Sequence, residues 1–191
     1  MSPREPRIAP GTLADVGLLN GALAHLLGLA SGGPAPNVFL TLGRHRSLFR
    51  KWLWFAGGLM PGGTLRRRES ELVILSVAHS MGCAYEWDHH ERLAKRAGVS
   101  AEAIASVRRG ELDAACLTPR ERAFLRASHE LFVEREIGDP TWRQLVALAS
   151  QVEIIELCLL VGHYQMLAMT LNTLRVPLDA RGTMARCADP G

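Results

Sequence analysis

Residues 71–90 of the chain read ELVILSVAHSMGCAYEWDHH, a stretch that joins an apolar helical run to a cysteine, carboxylates and histidines. If the part after Gly82 is helical, Cys83, Glu86 and His90 are spaced i, i+3 and i+7, which places their side chains on one face of the helix. The stretch therefore predicts two helices separated by a break at Gly82, with a thiol, an acid and an imidazole on one surface.

Helix start and stop signals continue on both sides of this stretch. The PGG at 61–63 breaks the chain, and Thr64 is the expected N-cap of a helix that runs to about Ser80. The sequence Thr118-Pro119-Arg120-Glu121 and the pair Ser150 and Glu153 form capping boxes of later helices. Because no segment alternates with period two and no hairpin dipeptide occurs, the predicted fold class is all-α.

Length and composition indicate one globular domain. The chain has 191 residues, of which 48% are hydrophobic, enough for a sizeable core. We predict an N-terminal arm and first helix over residues 1–36, a helical domain over 37–177, and a loose tail over 178–191.

Hydropathy, charge and cysteine content indicate which partners and which cellular compartment to expect. No apolar run of about 18–20 residues is evident and the N-terminus lacks an apolar signal region, so we expect a cytoplasmic protein without a membrane span. The net charge is only +3 and the arginines are dispersed, which makes nucleic acid an unexpected partner. Four scattered cysteines predict neither a disulfide framework nor a zinc ribbon.

Cys83 is the cysteine whose expected position favours a reactive thiol. Its expected place at a helix N-terminus exposes it to backbone amides and to the helix dipole, which stabilise a thiolate and lower a thiol pKa. The alternative is a small buried apolar residue, the usual state of a free cysteine.

Glu86 and His90 are candidates for proton transfer. Glu86 lies on a semi-apolar stretch, and exclusion of water there would raise its pKa toward neutrality. His90, one turn later, could be oriented by Glu86 and relay a proton; the alternative is an ordinary surface pair of the two. Glu71 and His79 could close the pocket from the preceding helix, Glu71 by holding a histidine or water, although a buried carboxylate satisfied by backbone or arginine fits equally.

A metal site and an anion site are alternative roles for charged residues in this region. The spacing of Glu86 and His90 suits metal ligands, but HExxH is absent and no third ligand is implied, so we expect no metal. Arg66, Arg67 and Arg68 stand where the helix dipole disfavours cations, so an anionic partner would relieve the conflict, although a solvated cluster explains them as well.

Glu71, the segment CAYEWDHH that begins at Cys83, the preceding TLRRRE and the following LAKRAGVS together resemble the carboxymuconolactone decarboxylase family. This family is part of the alkyl hydroperoxidase D-like superfamily, and the likeness extends from about Asn37 to Pro177. The resemblance implies an all-helical bundle and a homo-oligomer, a trimer or a hexamer.

The match also implies roles for particular residues. The hydroperoxidase branch carries a glutamate, a CxxC pair and a histidine, which Glu71, Cys83 and His90 match except that Glu86 stands in place of the second cysteine. A CxxC disulfide therefore cannot form. The segment YEW at residues 85–87 instead resembles the decarboxylase branch, whose reaction is loss of CO2 from an unsaturated lactone acid.

The favoured interpretation is therefore a carbon–carbon lyase without a cofactor, acting by proton transfer on a small anionic carboxylate or lactone. Glu86 and His90 would be its acid and base, and Cys83 and Glu71 would shape the pocket. The candidates for substrate binding are His79, Tyr85, Arg66, Arg67 and Arg68. Two alternatives stay open, a thiol peroxidase that uses Cys83 and a non-catalytic oligomeric ligand-binding protein.

Overall fold

The structure is a computed structural model that describes residues 5–180, and over this range it contains helices and no strand, which confirms the all-α prediction. The helices are α1 (Leu13–Val16), α2 (Leu18–Ser31), α3 (Asn37–Leu42), α4 (Arg46–Leu59), α5 (Arg67–Ser80), α6 (Ala84–Arg96), α7 (Ala101–Arg108), α8 (Pro119–Val133), α9 (Asp139–Leu148) and α10 (Gln151–Leu174).

The chain divides into two compact units. One comprises the residues up to Leu53 together with those from Arg175 onward, and the other is Trp54–Leu174. The domain boundaries expected at residues 36 and 177 stay a prediction. Residues 181–191 of the expected tail, with Cys187, lie outside the described residues.

In the first unit, the beginning of α3 is held by the segment that follows α10. The backbone amide of Asn37 donates to Asp179 Oδ1 at 2.7 Å, and its side-chain amide donates to the carbonyls of Pro177 and Leu178 at 3.1 Å. The tail is therefore fixed as far as residue 179, which corrects the expectation that it is loose from Leu178 onward.

The second unit is built around α5. This helix is buried without interruption from Glu69 to Ala78 and packs against α6, α7, α8 and α10. Its apolar side chains contribute to a core cluster made of Leu72, Leu75, Ala94, Val99, Ala103, Ile104, Val107, Leu117 and Leu125. Because α5 is enclosed on most sides, any polar side chain on it must find a partner inside the fold.

The start of α5 differs from the prediction. The N-cap is Arg66 rather than Thr64, because the Thr64 amide and hydroxyl donate instead to Glu156 Oε2 of α10, at 2.6 and 2.5 Å. The Leu65 amide donates to Glu156 Oε1 at 3.1 Å. The Glu156 carboxylate thus fixes the approach to α5 onto α10.

The break between α5 and α6 is as predicted. Gly82 has a φ of +58°, a left-handed conformation that glycine adopts without steric cost, and Cys83 is the N-cap of α6. The short turn folds α6 back along α5. As a result, the first turns of α5 and the middle of α6 face each other.

α10 corrects the expectation that no segment is long enough to span a membrane. Its 24 residues, with a mean hydropathy of 1.5 in the most apolar window, meet the length and composition of a span. Half of that window is buried inside the fold, as in the core helix of a soluble protein. Its inward side chains include the polar Glu156, His163 and Tyr164.

The contacts of Glu156 predict a specific loss of stability. Replacing Glu156 by Gln removes one acceptor oxygen and leaves a donor of the exposed Thr64 or of the buried Leu65 without its partner, which costs up to about 1–3 kcal/mol in the free energy of unfolding. Urea denaturation measures the loss. Glu136→Gln, at an exposed position, is the control and should change stability by less than about 0.5 kcal/mol. Equal stability of the two variants would contradict the anchoring role.

Candidate active site

A hydrogen bond between α5 and α6 forms the centre of the site. His90 Nδ1 lies 2.8 Å from Glu71 Oε2, and both side chains are buried. A carboxylate can only accept, so Nδ1 donates and the other ring nitrogen, Nε2, is left as the basic atom. The expectation that Glu71 holds a histidine from the opposite helix is met, whereas the expectation that Glu86 orients His90 is wrong.

Arg67 completes this pair from the first turn of α5. Its guanidinium lies 2.7 Å from Glu71 Oε1, with 40% of the arginine side chain exposed and none of the glutamate side chain. Glu71 therefore has an arginine on one oxygen and an imidazole on the other. This arrangement fixes the orientation of the His90 ring.

The environment of the Glu86 carboxyl differs from that of the Glu71 carboxylate. Its side chain is 2% exposed, and neither carboxyl oxygen has a hydrogen-bond partner in the described part of the chain. Burial raises the pKa of Glu86 to about 8 because the charged form loses its hydration without gaining a partner. Glu86 is therefore a protonated acid at neutral pH.

Cys83 occupies the predicted N-cap of α6, and its side chain is buried. Burial, followed by the charge of Glu86, raises the pKa of the Cys83 thiol to about 12, and the backbone amides of Glu86 and Tyr85 lower it by less. Since the residue is 1% exposed, desolvation outweighs the helix N-terminus. Of the two states that the sequence left open, a reactive thiolate and a small buried residue, the structure has the buried, protonated thiol.

α10 contributes two aromatic residues, His163 and Tyr164, that the sequence analysis does not single out. The ring of Tyr164 meets the His90 ring edge to face, with centroids 5.0 Å apart, and His163 lies against Tyr164 at 5.1 Å. Burial raises the pKa of Tyr164, and the charges of Glu71 and Glu86 raise it further, so the phenol stays protonated. The sequence signal that could have identified these residues is the occurrence of His and Tyr inside an otherwise apolar helix.

Two further histidines are held neutral around His90. Burial lowers the pKa of His163 to about 4, with a smaller effect from the charge of His90. Burial also lowers the pKa of His89 to about 3, helped by His90 and nearby arginines. The site is thus crowded with groups that resist additional positive charge.

The remaining predicted residues are dispersed. Arg68 bonds Glu121 Oε1 and the Gly98 carbonyl, both at 2.5 Å, so it fixes α5 to its neighbours. Arg66 is exposed at the N-cap. His79 is exposed and lies against Trp87, with ring centroids 6.3 Å apart. The structure does not bring these three to the Glu71–His90 pair. Tyr85 is buried in the first turn of α6.

Metal-ligating side chains do not converge in the described residues. Within residues 5–180, no group of three or more histidine, cysteine or carboxylate side chains is arranged to hold a metal ion.

This site lies in the part of the chain that matches a known family. Residues 46–130 match the carboxymuconolactone decarboxylase family, and they contain Glu71, Cys83, Glu86 and His90. This part of the chain is therefore similar to that family. A search of curated protein sequences gives no significant match.

Solved structures with a similar fold cover nearly the whole chain. A peroxidase-related protein from Silicibacter sp. superposes with a TM-score of 0.81 at 17% identity, covering 94% of this chain and 95% of that one. An alkylhydroperoxidase AhpD core protein from Ralstonia eutropha gives 0.78 at 19%, covering 92% and 94%. The debrominase Bmp8 gives 0.76 at 15%, covering 91% and 92%. The alkyl hydroperoxidase D-like fold is thereby shown.

The raised pKa of Glu86 predicts a pH-dependent penalty on stability. In the unfolded chain Glu86 ionises near its ordinary pKa of 4.5, whereas in the folded chain it ionises near 8. The contribution of Glu86 to the free energy of unfolding is therefore fully present below pH 4.5. It is lost as the pH rises to about 8, because the unfolded chain can ionise Glu86 and the folded chain cannot. Glu86→Gln removes the penalty, so its gain in free energy of unfolding should grow over this window, toward an upper limit of about 5 kcal/mol.

Urea denaturation of both proteins at pH 5, 6.5 and 8 measures this difference. The exposed Glu136→Gln variant is the control and should show no such trend. A Glu86→Gln variant that is less stable than wild type at pH 8 would mean that Glu86 is ionised and partnered in the folded protein.

Proposed function

We propose that the chain is an acid/base enzyme without a cofactor that removes CO2 from, or moves a proton on, a small unsaturated carboxylate or lactone acid. The observation that carries the proposal is Glu86, a buried carboxyl with a pKa of about 8 and no partner on either oxygen. Such a group is costly to fold and is typical of a residue kept for proton donation.

In the proposed reaction the bond between the substrate carbon and its carboxylate breaks, and its electron pair stays on the conjugated carbon framework. Glu86 then donates its proton to that carbon, and CO2 leaves. Reprotonation of Glu86 from water restores the enzyme. His90, with Nδ1 bound to Glu71, provides Nε2 as the base that exchanges this proton.

Arg67 is the proposed anchor for the substrate anion. Its guanidinium is partly exposed and lies beside Glu71, so it connects the buried pair with the surface. Arg66, exposed in the preceding position, adds positive charge along the approach. Glu71 is a positioning residue in this scheme because it acts through His90.

The family supports an enzyme, and the relatives of known fold include a debrominase and peroxidase-related proteins. Thiol chemistry is the less favoured alternative for this chain, because a thiol with a pKa of about 12 is almost never ionised at neutral pH. A cytoplasmic location and a trimeric or hexameric assembly stay predictions.

The first test is turnover of a panel of unsaturated lactone acids and carboxylates, carboxymuconolactone included, followed by NMR and CO2 release. Wild type should convert at least one compound, and Glu86→Gln should lose about 10²–10⁴-fold in kcat. The rate should fall as the pH rises above about 8, because the acid form of Glu86 disappears. Cys83→Ala should stay within a few-fold of wild type. Unchanged turnover by Glu86→Gln would contradict the proposed role.

The second test addresses the thiol alternative. We expect reduced protein mixed with a slight excess of hydrogen peroxide at pH 7 to leave Cys83 unmodified, since its thiol is buried and protonated. Intact mass and peptide mapping after one minute measure this, with Cys83→Ser as the control. Rapid peroxide loss that depends on Cys83 would support a peroxidase instead.

A further inference from the structure

A first series of contacts leads from His90 to the end of α4 through polar groups. Glu71 lies 2.8 Å from His90, and Arg67 lies 2.7 Å from Glu71. The Arg67 guanidinium also donates to Met60 Sδ at 3.5 Å. Met60 is the residue that directly follows α4. The polar side of the candidate site is therefore connected to the C-terminal end of this helix.

A second series leads from His90 to the same end of α4 through aromatic rings. The Tyr164 ring centroid is 5.0 Å from that of His90, and the His163 centroid is 5.1 Å from that of Tyr164. The Phe55 ring follows, 5.5 Å from His163 and tilted by 60°. Aromatic rings interact favourably at about 4.5–7 Å. Since Phe55 and Met60 are five positions apart, both series end on residues 55–60, which we call the α4 end.

Exposure rises along both series from His90 to the α4 end. The inner members are between 0% and 7% exposed, namely Glu71, His90, His163 and Tyr164. At the outer ends, Phe55 is 44% exposed, the Arg67 side chain is 40% exposed and Met60 is half-buried. A molecule that approaches His90 from solvent along either series therefore meets Phe55, Met60 and Arg67 first.

The α4 end offers this molecule an apolar surface with space beside it. Its sequence is Phe-Ala-Gly-Gly-Leu-Met, which contains no polar side chain. Gly57 is half-buried, yet a Cβ added there would meet nothing within 4 Å. The neighbouring Gly58 is equally open. No side chain of the described residues therefore fills the space next to these glycines, between Phe55 and Met60.

Arg67 adds a single type of polar recognition to this apolar surface. A guanidinium has five N–H donors, and Glu71 accepts one of them through Nη2. Met60 accepts another only weakly, since a thioether is a poor acceptor. A carboxylate forms a stronger, charge-assisted bond and can replace the sulfur at Arg67. The carbon body of such an anion would then lie against Met60 and the neighbouring Phe55.

We propose that Phe55 and Met60 determine the substrate class, by binding the apolar body of a small carboxylate whose carboxylate group is bound by Arg67. The substrate is then an acid with an aromatic or bulky apolar group rather than a short or fully polar one. This inference rests on the proposed function, which places the anion at Arg67, and it adds the part of the substrate that the α4 end recognises.

The test measures binding of two unreactive probes, benzoate and acetate, which carry the same charge at neutral pH and differ in their apolar group. The Nε–H resonance of Arg67 in a proton–nitrogen NMR titration reports binding, with Arg67→Gln used to assign it. Wild type should bind benzoate at least about 10-fold more tightly than acetate, because only the phenyl ring buries apolar area against the α4 end.

Phe55→Ala and Met60→Ala should each weaken benzoate binding by about 5–10-fold and leave acetate binding within about twofold. Trp54→Ala is the matched control. Trp54 precedes Phe55 on the same helix, is also a large aromatic residue and is 86% exposed, so its loss should change neither affinity. Circular dichroism should show equal helicity in the four proteins. With a converted substrate of this class, Phe55→Ala should raise KM and leave kcat within about twofold, since Phe55 does not take part in proton transfer.

Three results would overturn the inference: equal affinity of wild type for the two probes, no response of the Arg67 resonance to either probe, or benzoate binding that Phe55→Ala and Met60→Ala leave unchanged. A loss of benzoate binding in Trp54→Ala as large as in Phe55→Ala would also overturn it, because the effect would then belong to the whole helix end. The binding test needs no turnover. Selective benzoate binding by a protein that converts no acid would therefore support the specificity residues and contradict the proposed reaction.

Discussion

The hydrogen bond between Glu71 and His90 is the contact on which the arrangement of the site depends. It joins the first turns of α5, the most enclosed helix of its unit, to the middle of α6, and it does so in a buried setting where both groups require a partner. The left-handed turn at Gly82 makes the contact possible by reversing the chain over three residues. Arg67 supplies the opposite charge that lets the carboxylate stay inside the fold.

Burial has opposite consequences for the two acidic groups of the site. Glu71 lies between an arginine and an imidazole, which are 2.7 and 2.8 Å from its two oxygens, and its role is to position His90. Glu86 has neither partner, so desolvation acts alone and leaves it protonated at neutral pH. A fixed histidine and a buried acid within one helix turn are the components that proton transfer to carbon requires. The same desolvation keeps the Cys83 thiol protonated, which separates this site from one built for thiolate chemistry.

Local signals in the sequence were sufficient to predict most of the helices, the break at Gly82 and the N-cap position of Cys83. These features depend on residues within one or two helical turns. The partner of His90 was not predictable from spacing. Glu86 at i−4 and Glu71 at nineteen positions before were both available, and only the packing of α5 on α6 decides between them. The start of α5 was misplaced at Thr64 for a similar reason, since the competing acceptor Glu156 comes from α10, 92 residues later.

The pKa of the Cys83 thiol shows that burial can outweigh the effect of a helix N-terminus. Helix N-termini lower thiol pKa values where water and the dipole act on an accessible sulfur, but here the sulfur is enclosed and an acid lies one turn away. The contact of Tyr164 with His90 was not predictable from the sequence, because it depends on how α10 crosses the α5–α6 pair. The dispersal of Arg66, Arg67 and Arg68 follows from helix geometry, since successive residues point about 100° apart.

The central claim is that Glu86 is a protonated acid in the folded protein at neutral pH. The most direct measurement is a carbon NMR titration of protein carrying ¹³C at the glutamate side-chain carboxyls, with Glu86→Gln used to assign the resonance. The account predicts a carboxyl that titrates near pH 8 and is missing from the variant. A Glu86 resonance that titrates below pH 5 would contradict it, because the group would then be ionised at neutral pH and unable to donate the proton.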